Sequence, residues 1–361
     1  MENLVNTQQL RSWYQGKKVF LTGHTGFKGA WLLSWLRLLG ATVKGYALPP
    51  AYDQGLFSLL EPLREGQSVL GDIRDREKLT AALQDFKPDY VFHLAAQPLV
   101  RYSYAEPAQT FEVNVAGTAN LLEAVHRMDH PCATVVITTD KVYENKEQDI
   151  LYRENDVLGG YDPYSASKAC TELVVSSFRN SFFPAARFDQ HGHALASARA
   201  GNVIGGGDWS TDRILPDIVR ALQAGKAIPV RNPSAVRPWQ HVLEPLHGYL
   251  LLGGLLYQDP ARYGSAYNLG PLPEDHLTVQ QLVETAIGSW DSGAWENLQQ
   301  PGQPHEAGLL KLDISKAISE LGWKPGLNAE EAIRWTIDWY RQPVSQQADY
   351  CIQQINQYQA L

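Results

Sequence analysis

The sequence predicts an α/β fold, a doubly wound parallel sheet with a smaller C-terminal substrate-binding lobe. Three observations carry that expectation. Strand-like and helix-like apolar patterns alternate through the first half of the chain. A glycine-rich turn lies between the first strand and the first helix, the arrangement of a Rossmann-type unit. After about residue 203 the alternation loosens, and glycine and proline cluster at 205–208 and 232–238.

Each element follows from its own pattern. Lys-Val-Phe-Leu-Thr at 18–22 reads as a buried strand. Trp31, Leu32, Trp35, Leu36 and Leu39 recur at helical spacing, and Gly40 is placed to end that helix. Residues 42–47 form a second strand, and a third precedes Gly71-Asp72. Helices are expected over 76–86, 108–127 and 163–180, and strands over 89–95, 134–138 and 194–201. The chain then divides into a dinucleotide-binding domain over 1–180 and a second lobe over 181–341, with some segments of the lobe returning to the sheet. The glutamine-rich tail, 342–361, is expected to be loosely ordered.

Composition narrows the function. The chain has 361 residues, 44% hydrophobic and 19% charged, with a net charge of −8. That excludes a disordered chain, a collagen-like fibre and a basic nucleic-acid or membrane binder. The apolar run at 249–257 is too short to span a bilayer. Met1-Glu2-Asn3-Leu4 does not begin a signal peptide, so a cytoplasmic location is expected, with Cys132, Cys170 and Cys351 as reduced thiols. His191 and His193 lack ligand partners at metal-site spacing and read as a polar loop, and no metal is expected.

Gly23-His-Thr-Gly26-Phe-Lys-Gly29 carries the first chemistry. One glycine makes the tight turn, one lets backbone N–H groups approach a pyrophosphate, and one lets helix pack on strand. The positive end of the helix then faces the phosphates. No acid stands at the end of the second strand, where a ribose partner is usual, and no Arg or Lys lies between Lys44 and Arg64 to hold a 2′-phosphate. NAD is therefore the favoured cofactor. Asp72 is placed either to bond its adenine or to cap the next helix.

Tyr164-Ser-Ala-Ser-Lys168 is the second signal. Four-residue spacing on a helix puts both side chains on one face. Tyrosine ionises near pH 10, about 3 units above neutrality, so serving as a base demands roughly 4 kcal/mol of help from positive charge. Thr139, at the C-terminal end of a strand, is placed to bond the hydroxyl being oxidised. Asp140 and Lys141 beside it read either as a turn with an N-cap aspartate or as an additional acid and base for proton removal and loss of water.

These motifs, with Ala95-Ala-Gln97-Pro-Leu-Val-Arg101, Gly159-Gly-Tyr-Asp-Pro-Tyr164, Arg199-Ala-Gly-Asn202-Val-Ile-Gly-Gly-Gly-Asp-Trp209 and Arg237-Pro-Trp239-Gln-His241, resemble the extended short-chain dehydrogenase/reductases. Within them they resemble the sugar-nucleotide 4,6-dehydratases, in the branch acting on CDP-glucose. The likeness runs from about residue 10 to about residue 340.

It implies a hydro-lyase using NAD to make a 4-keto-6-deoxy sugar nucleotide for deoxysugar and O-antigen synthesis. Tyr164, Lys168 and Thr139 act at C-4, and Asp140 gives a proton to the leaving 6-hydroxyl. Lys141 stands where the dTDP-glucose branch has glutamate, either as the C-5 base or as an electrostatic stabiliser of the enolate. The cofactor residues implied are Gly23, Thr25, Gly26, Phe27, Lys28, Gly29, Asp72, Ile73, Leu94, Ala95, Ala96, Tyr164 and Lys168. Those for the sugar nucleotide are Gln97, Arg101, Asn202, Arg231, Arg237, Trp239 and His241, although composition alone also permits ordinary surface roles. The resemblance further implies a homodimer or homotetramer built on helices 108–127 and 163–180. Open alternatives are an NAD-dependent 4-epimerase, a dehydratase for a dTDP- or GDP-sugar, and a non-catalytic nucleotide-binding protein.

Overall fold

The computed structural model describes residues 2–298 and 310–361. Its centre is a seven-stranded parallel sheet. The strands are β1 (Lys18–Thr22), β2 (Thr42–Ala47), β3 (Ser68–Leu70), β4 (Tyr90–His93), β5 (Cys132–Thr139), β6 (His193–Ala200) and, beyond three short lobe strands, β10 (Ala266–Leu269). Their spatial order is β10-β6-β5-β4-β1-β2-β3. The order reverses between β1 and β4, and in such sheets the ligand crevice opens at that point, beyond the C-terminal strand ends.

Strand alternation divides the core into two layers. On β5, Ala133, Val135 and Ile137 face one layer, while Cys132 and Val136 face the other. The second layer is closed by Leu79 and Leu83 of α3 (Arg76–Phe86), Leu121, Leu122 and Val125 of α5, and Val175 of α6 (Pro163–Ser181). Here α5 is a continuous run of Pro107–Phe111, a π turn Glu112–Ala116, and Gly117–His126, following the short α4 (Val100–Ala105). The first layer holds Trp31, Leu32, Trp35 and Leu36 of α2 (Phe27–Leu38) and the apolar α8 (Leu243–Gln258). Gly40, at φ +84°, ends α2 as its position suggested.

An N-terminal helix, α1 (Glu2–Tyr14), was not foreseen. Leu10, Trp13 and Tyr14 are its buried face, and the Tyr14 hydroxyl donates to the Leu250 carbonyl of α8 at 2.7 Å. Two adjacent glycines admit it: a Cβ on Gly254 would come within 2.0 Å of the Trp13 ring, and one on Gly253 within 2.6 Å of the Tyr14 hydroxyl. Gly254→Ala is expected to cost about 1–3 kcal/mol by overpacking, more than the ~1 kcal/mol that alanine gains in helix propensity. Chemical denaturation checks this. Stability at or above the parent's would mean that α1 is not seated on α8.

The lobe contributes β7 (Asn202–Ile204), α7 (Ile214–Gln223), β8 (Ile228–Val230), β9 (Trp239–His241), α9 (Val279–Trp290) and α10 (Ala329–Arg341). β9 pairs in parallel with β7. The glutamine-rich tail is not loosely ordered. It forms α11 (Gln347–Tyr358), with Cys351, Ile355 and Tyr358 buried at helical spacing. The Tyr358 hydroxyl donates to the buried Glu244 carboxylate at 2.7 Å, which also accepts from the Gly326 and Leu327 N–H groups. Nor is His193 in a polar loop, since it opens β6, buried against Phe183. Cys132 and Cys351 are buried free thiols, and Cys170 is a partly buried one. No helix among the described residues is long and apolar enough to cross a membrane.

Candidate active site

The C-terminal ends of β1, β4 and β5 open into a cleft of about 1460 Å³ between sheet and lobe. Its floor is the glycine turn. Gly23 takes a left-handed φ of +77°, and a Cβ there would lie 2.8 Å from the Ala95 N. A Cβ on Gly29 would lie 2.0 Å from the Gly23 carbonyl oxygen, so α2 can rest on the turn only if residue 29 is glycine. Gly26, the N-cap of α2, makes no side-chain cap, which leaves the first N–H groups of the helix facing the cleft. This bare, positive helix end with a close-approach turn fits a dinucleotide pyrophosphate.

Every residue expected at the cofactor lines the cleft: Gly23, Thr25, Gly26, Phe27, Lys28, Gly29, Asp72, Ile73, Leu94, Ala95, Ala96, Tyr164 and Lys168. Asp72 is not the cap of α3. That is Asp75, whose side chain accepts from the Lys78 N–H. The Asp72 carboxylate is bound to Arg74, which holds it below the usual carboxylate range against partial burial.

Tyr164, Lys168 and Thr139 meet on one wall. Pro163 and the Asp162 side chain, which accepts from the Ser165 N–H, start α6 at the cleft edge and present Tyr164 and Lys168 one turn apart. Burial pushes the Tyr164 phenol up to about 12, opposed by its hydrogen bond with Thr139. Burial also pulls the Lys168 ammonium down to about 8, opposed by Glu172. Lysine 168 donates to the Ile137 carbonyl at 3.2 Å. Burial and the neighbouring cations Arg213, Lys168 and Lys141 lower Lys28 to about 7, and its ammonium donates to the Tyr249 hydroxyl at 3.3 Å.

The acid and base beside Thr139 are less symmetric than the sequence suggested. Thr139, not Asp140, caps the turn Asp140–Val142 by accepting from the Lys141 N–H. Its hydroxyl donates to Asp140 Oδ1 at 2.9 Å. Asp140 is buried one step behind the cleft wall, against Gly201, and borders a separate small cavity. Lys141 lines the cleft itself, with Nζ 3.7 Å from Asp140 Oδ1 and 3.5 Å from Asn202 Oδ1.

Arg101, Asn202, Arg231, Arg237 and Trp239 also line the cleft. Asp212 lies between two of them, 3.1 Å from Arg101 and 3.4 Å from Arg231. Two expected substrate residues do not face it. His241 lies farther along β9, fully buried edge-on to Trp31 and Trp335. Gln97 is engaged in its own loop, donating to the Thr110 hydroxyl at 2.8 Å and accepting from the Leu99 N–H at 2.5 Å.

Sequence reasoning missed Asn114. Its side chain accepts from the Gln97 N–H at 2.8 Å, donates to the Gln97 carbonyl at 3.1 Å, and reaches Ser167 Oγ at 2.8 Å. It thereby ties the loop after β4 to α6. It sits in the π turn, and such turns concentrate at functional sites. A π turn has no simple sequence signal.

The model of the GDP-mannose 4,6 dehydratase family matches residues 20–336. The chain belongs to that family. Among curated members, it is 50% identical over 331 residues to a CDP-glucose 4,6-dehydratase of Salmonella typhimurium, covering 92% of each chain. It is 29% identical to a dTDP-glucose 4,6-dehydratase of Streptomyces antibioticus, over 90% of this chain and 92% of that one. In fold it resembles the Streptomyces venezuelae dTDP-glucose 4,6-dehydratase solved with NAD and TYD bound. The TM-score is 0.74 at 24% identity, covering 90% of this chain and 97% of that chain.

Proposed function

We propose that this protein converts CDP-D-glucose to CDP-4-keto-6-deoxy-D-glucose and water. The observation that carries this reading is the Asp140–Lys141 pair beside Thr139, with Tyr164 and Lys168 on the same cleft wall. A 4-epimerase needs the tyrosine and lysine but has no use for a second acid and base. Identity of 50% with the Salmonella CDP-glucose enzyme favours cytosine as the base.

The Gly23–Gly29 turn, Asp72, Ile73 and Leu94–Ala96 would hold NAD, which would supply a reversible hydride acceptor for the sugar. Tyr164 takes the proton of the 4-hydroxyl, with Thr139 bonding the same oxygen. The 4-keto group acidifies C-5–H, and Lys141, in its neutral form, removes that proton. Asp140, behind the wall, supplies the proton of the departing 6-hydroxyl through the Thr139 hydroxyl bonded to it, and the hydroxyl leaves as water. C-5 then regains a proton, so the net change is loss of one water. Arg237 and Asn202 hold the diphosphate, and Arg101, Arg231 and Trp239 surround the nucleotide.

We place the reaction in the cytoplasm, in agreement with the free thiols. A homodimer or homotetramer through α5 and α6 would cover exposed apolar residues there, including Phe111, Leu173 and Phe182.

The test is a turnover screen with NAD and CDP-, dTDP-, UDP- and GDP-glucose and GDP-mannose, following the alkaline absorbance of a 4-keto-6-deoxy product. Product from CDP-glucose alone is expected. Product from another nucleotide would overturn the base assignment, and interconversion of 4-epimers without keto product would overturn the dehydratase reading.

A further inference from the structure

Tyr164, Lys168 and Glu172 follow one another at four-residue intervals along α6, so all three lie on one face. The Glu172 side chain is only 3% exposed. Its carboxylate accepts from Arg199 Nη2 at 2.9 Å and Ser197 Oγ at 2.8 Å, both on β6, and from Thr138 Oγ1 on β5. Arg199 is fixed in turn, donating to the Tyr143 hydroxyl at 2.8 Å and the Glu154 carbonyl at 3.0 Å. A buried carboxylate is thus anchored from two strands, directly below Lys168 and next to the strand end that carries Thr139.

We propose that Glu172 is a positioning residue that acts through Lys168. Its buried charge keeps the Lys168 ammonium protonated at the pH where Tyr164 must work as a base. This rests on the reading of Tyr164 and Lys168 given above.

The surroundings of Lys168 explain why a partner is required. Charged or titratable groups reach this face from every packed element: Tyr164 on α6, Asp140 and Lys141 after β5, Arg199 on β6, His93 on β4 and Lys28 on α2. Lys28 is coupled to Lys168 and opposes a further positive charge there. Burial also disfavours the ammonium, and Glu172 opposes that loss. Glu172 itself stays ionised against burial because of Arg199, Thr138 and Ser197.

The test measures the protonation of Lys168 directly, on the full-length protein without substrate. Trace acetic anhydride labels Lys168 in proportion to its neutral fraction, and peptide mass spectrometry across pH gives its midpoint. Glu172→Gln is expected to lower that midpoint by about one pH unit, and Glu172→Asp to restore most of it. The alkaline limb of kcat should move down with it in Glu172→Gln. If Glu172→Gln fails to fold, the apolar pair Glu172→Leu with Arg199→Met removes the ion pair without leaving a buried charge, and the midpoint should again fall.

A midpoint equal to the parent's in Glu172→Gln, or in the double variant where Glu172→Gln does not fold, overturns the proposal and leaves Glu172 a purely architectural residue. Absence of turnover with every sugar nucleotide would instead sink the dehydratase reading, and the labelling would still decide the role of Glu172.

Discussion

Tyr164→Phe is expected to lower kcat at least ~10³-fold while leaving the dissociation constant for CDP nearly unchanged. General-base catalysis of this kind is worth about 10²–10⁴-fold, and here loss of the phenol also blocks the C-4 oxidation on which the later steps depend. Phenylalanine keeps the ring and removes only the hydroxyl, and the proposed diphosphate partners, Arg237 and Asn202, are untouched, so binding has no reason to weaken.

The pH profile follows from the same geometry. Burial holds Tyr164 up at about 12 in the protein alone. Each unit of lowering takes about 1.4 kcal/mol of help, from the Lys168 ammonium, the Thr139 hydrogen bond and the positive ring of the bound cofactor. The rate therefore rises with pH as the phenol ionises. It falls again near pH 8, where Lys168 loses its charge. Steady-state rates across pH, with calorimetric titration of CDP, check both parts. A variant retaining a tenth of the parent rate would remove Tyr164 from the mechanism.

The parts of the fold legible in the sequence were those with strong local signals. The turn at 23–29, the helix face at Tyr164 and Lys168 and the alternating core strands are set by short-range spacing. Features that depend on tertiary contact were not. Helix α1 has a weak amphipathic pattern, and its partner is a Gly-Gly step in α8, some 240 residues later. The tail looks polar because glutamines dominate it, yet Cys351, Ile355 and Tyr358 are buried at helical spacing.

The candidate site shows the same division. Residues projecting from strand-end turns, such as Thr139 and Lys141, reach the cleft as their position suggests. His241 does not, because β9 runs inward beneath Trp31 and Trp335, and nothing near residue 241 announces that cover. Asn114 could have been found only by knowing that the loop after β4 requires a tether.

Lys141→Met is expected to stop the reaction after C-4 oxidation, with a loss of about 10³-fold or more in kcat. The amine has the exposure required of a base. It lines the cleft with its side chain 28% exposed, whereas Asp140, at 3%, stands behind the wall. The two groups share a contact of 3.7 Å, which fixes the amine at the cleft wall beside Thr139.

Without that amine, C-5–H stays in place. Reduced nicotinamide should then accumulate during a single turnover, and no deuterium should enter C-5 from deuterium oxide. Lys141→Arg separates the two roles, because a guanidinium keeps the positive charge but cannot become neutral. If Lys141 is the base, Lys141→Arg is as inactive as Lys141→Met and equally devoid of exchange at C-5. If the charge alone stabilises the enolate, Lys141→Arg retains exchange and most of the turnover, and the base must be sought in another group facing the cleft.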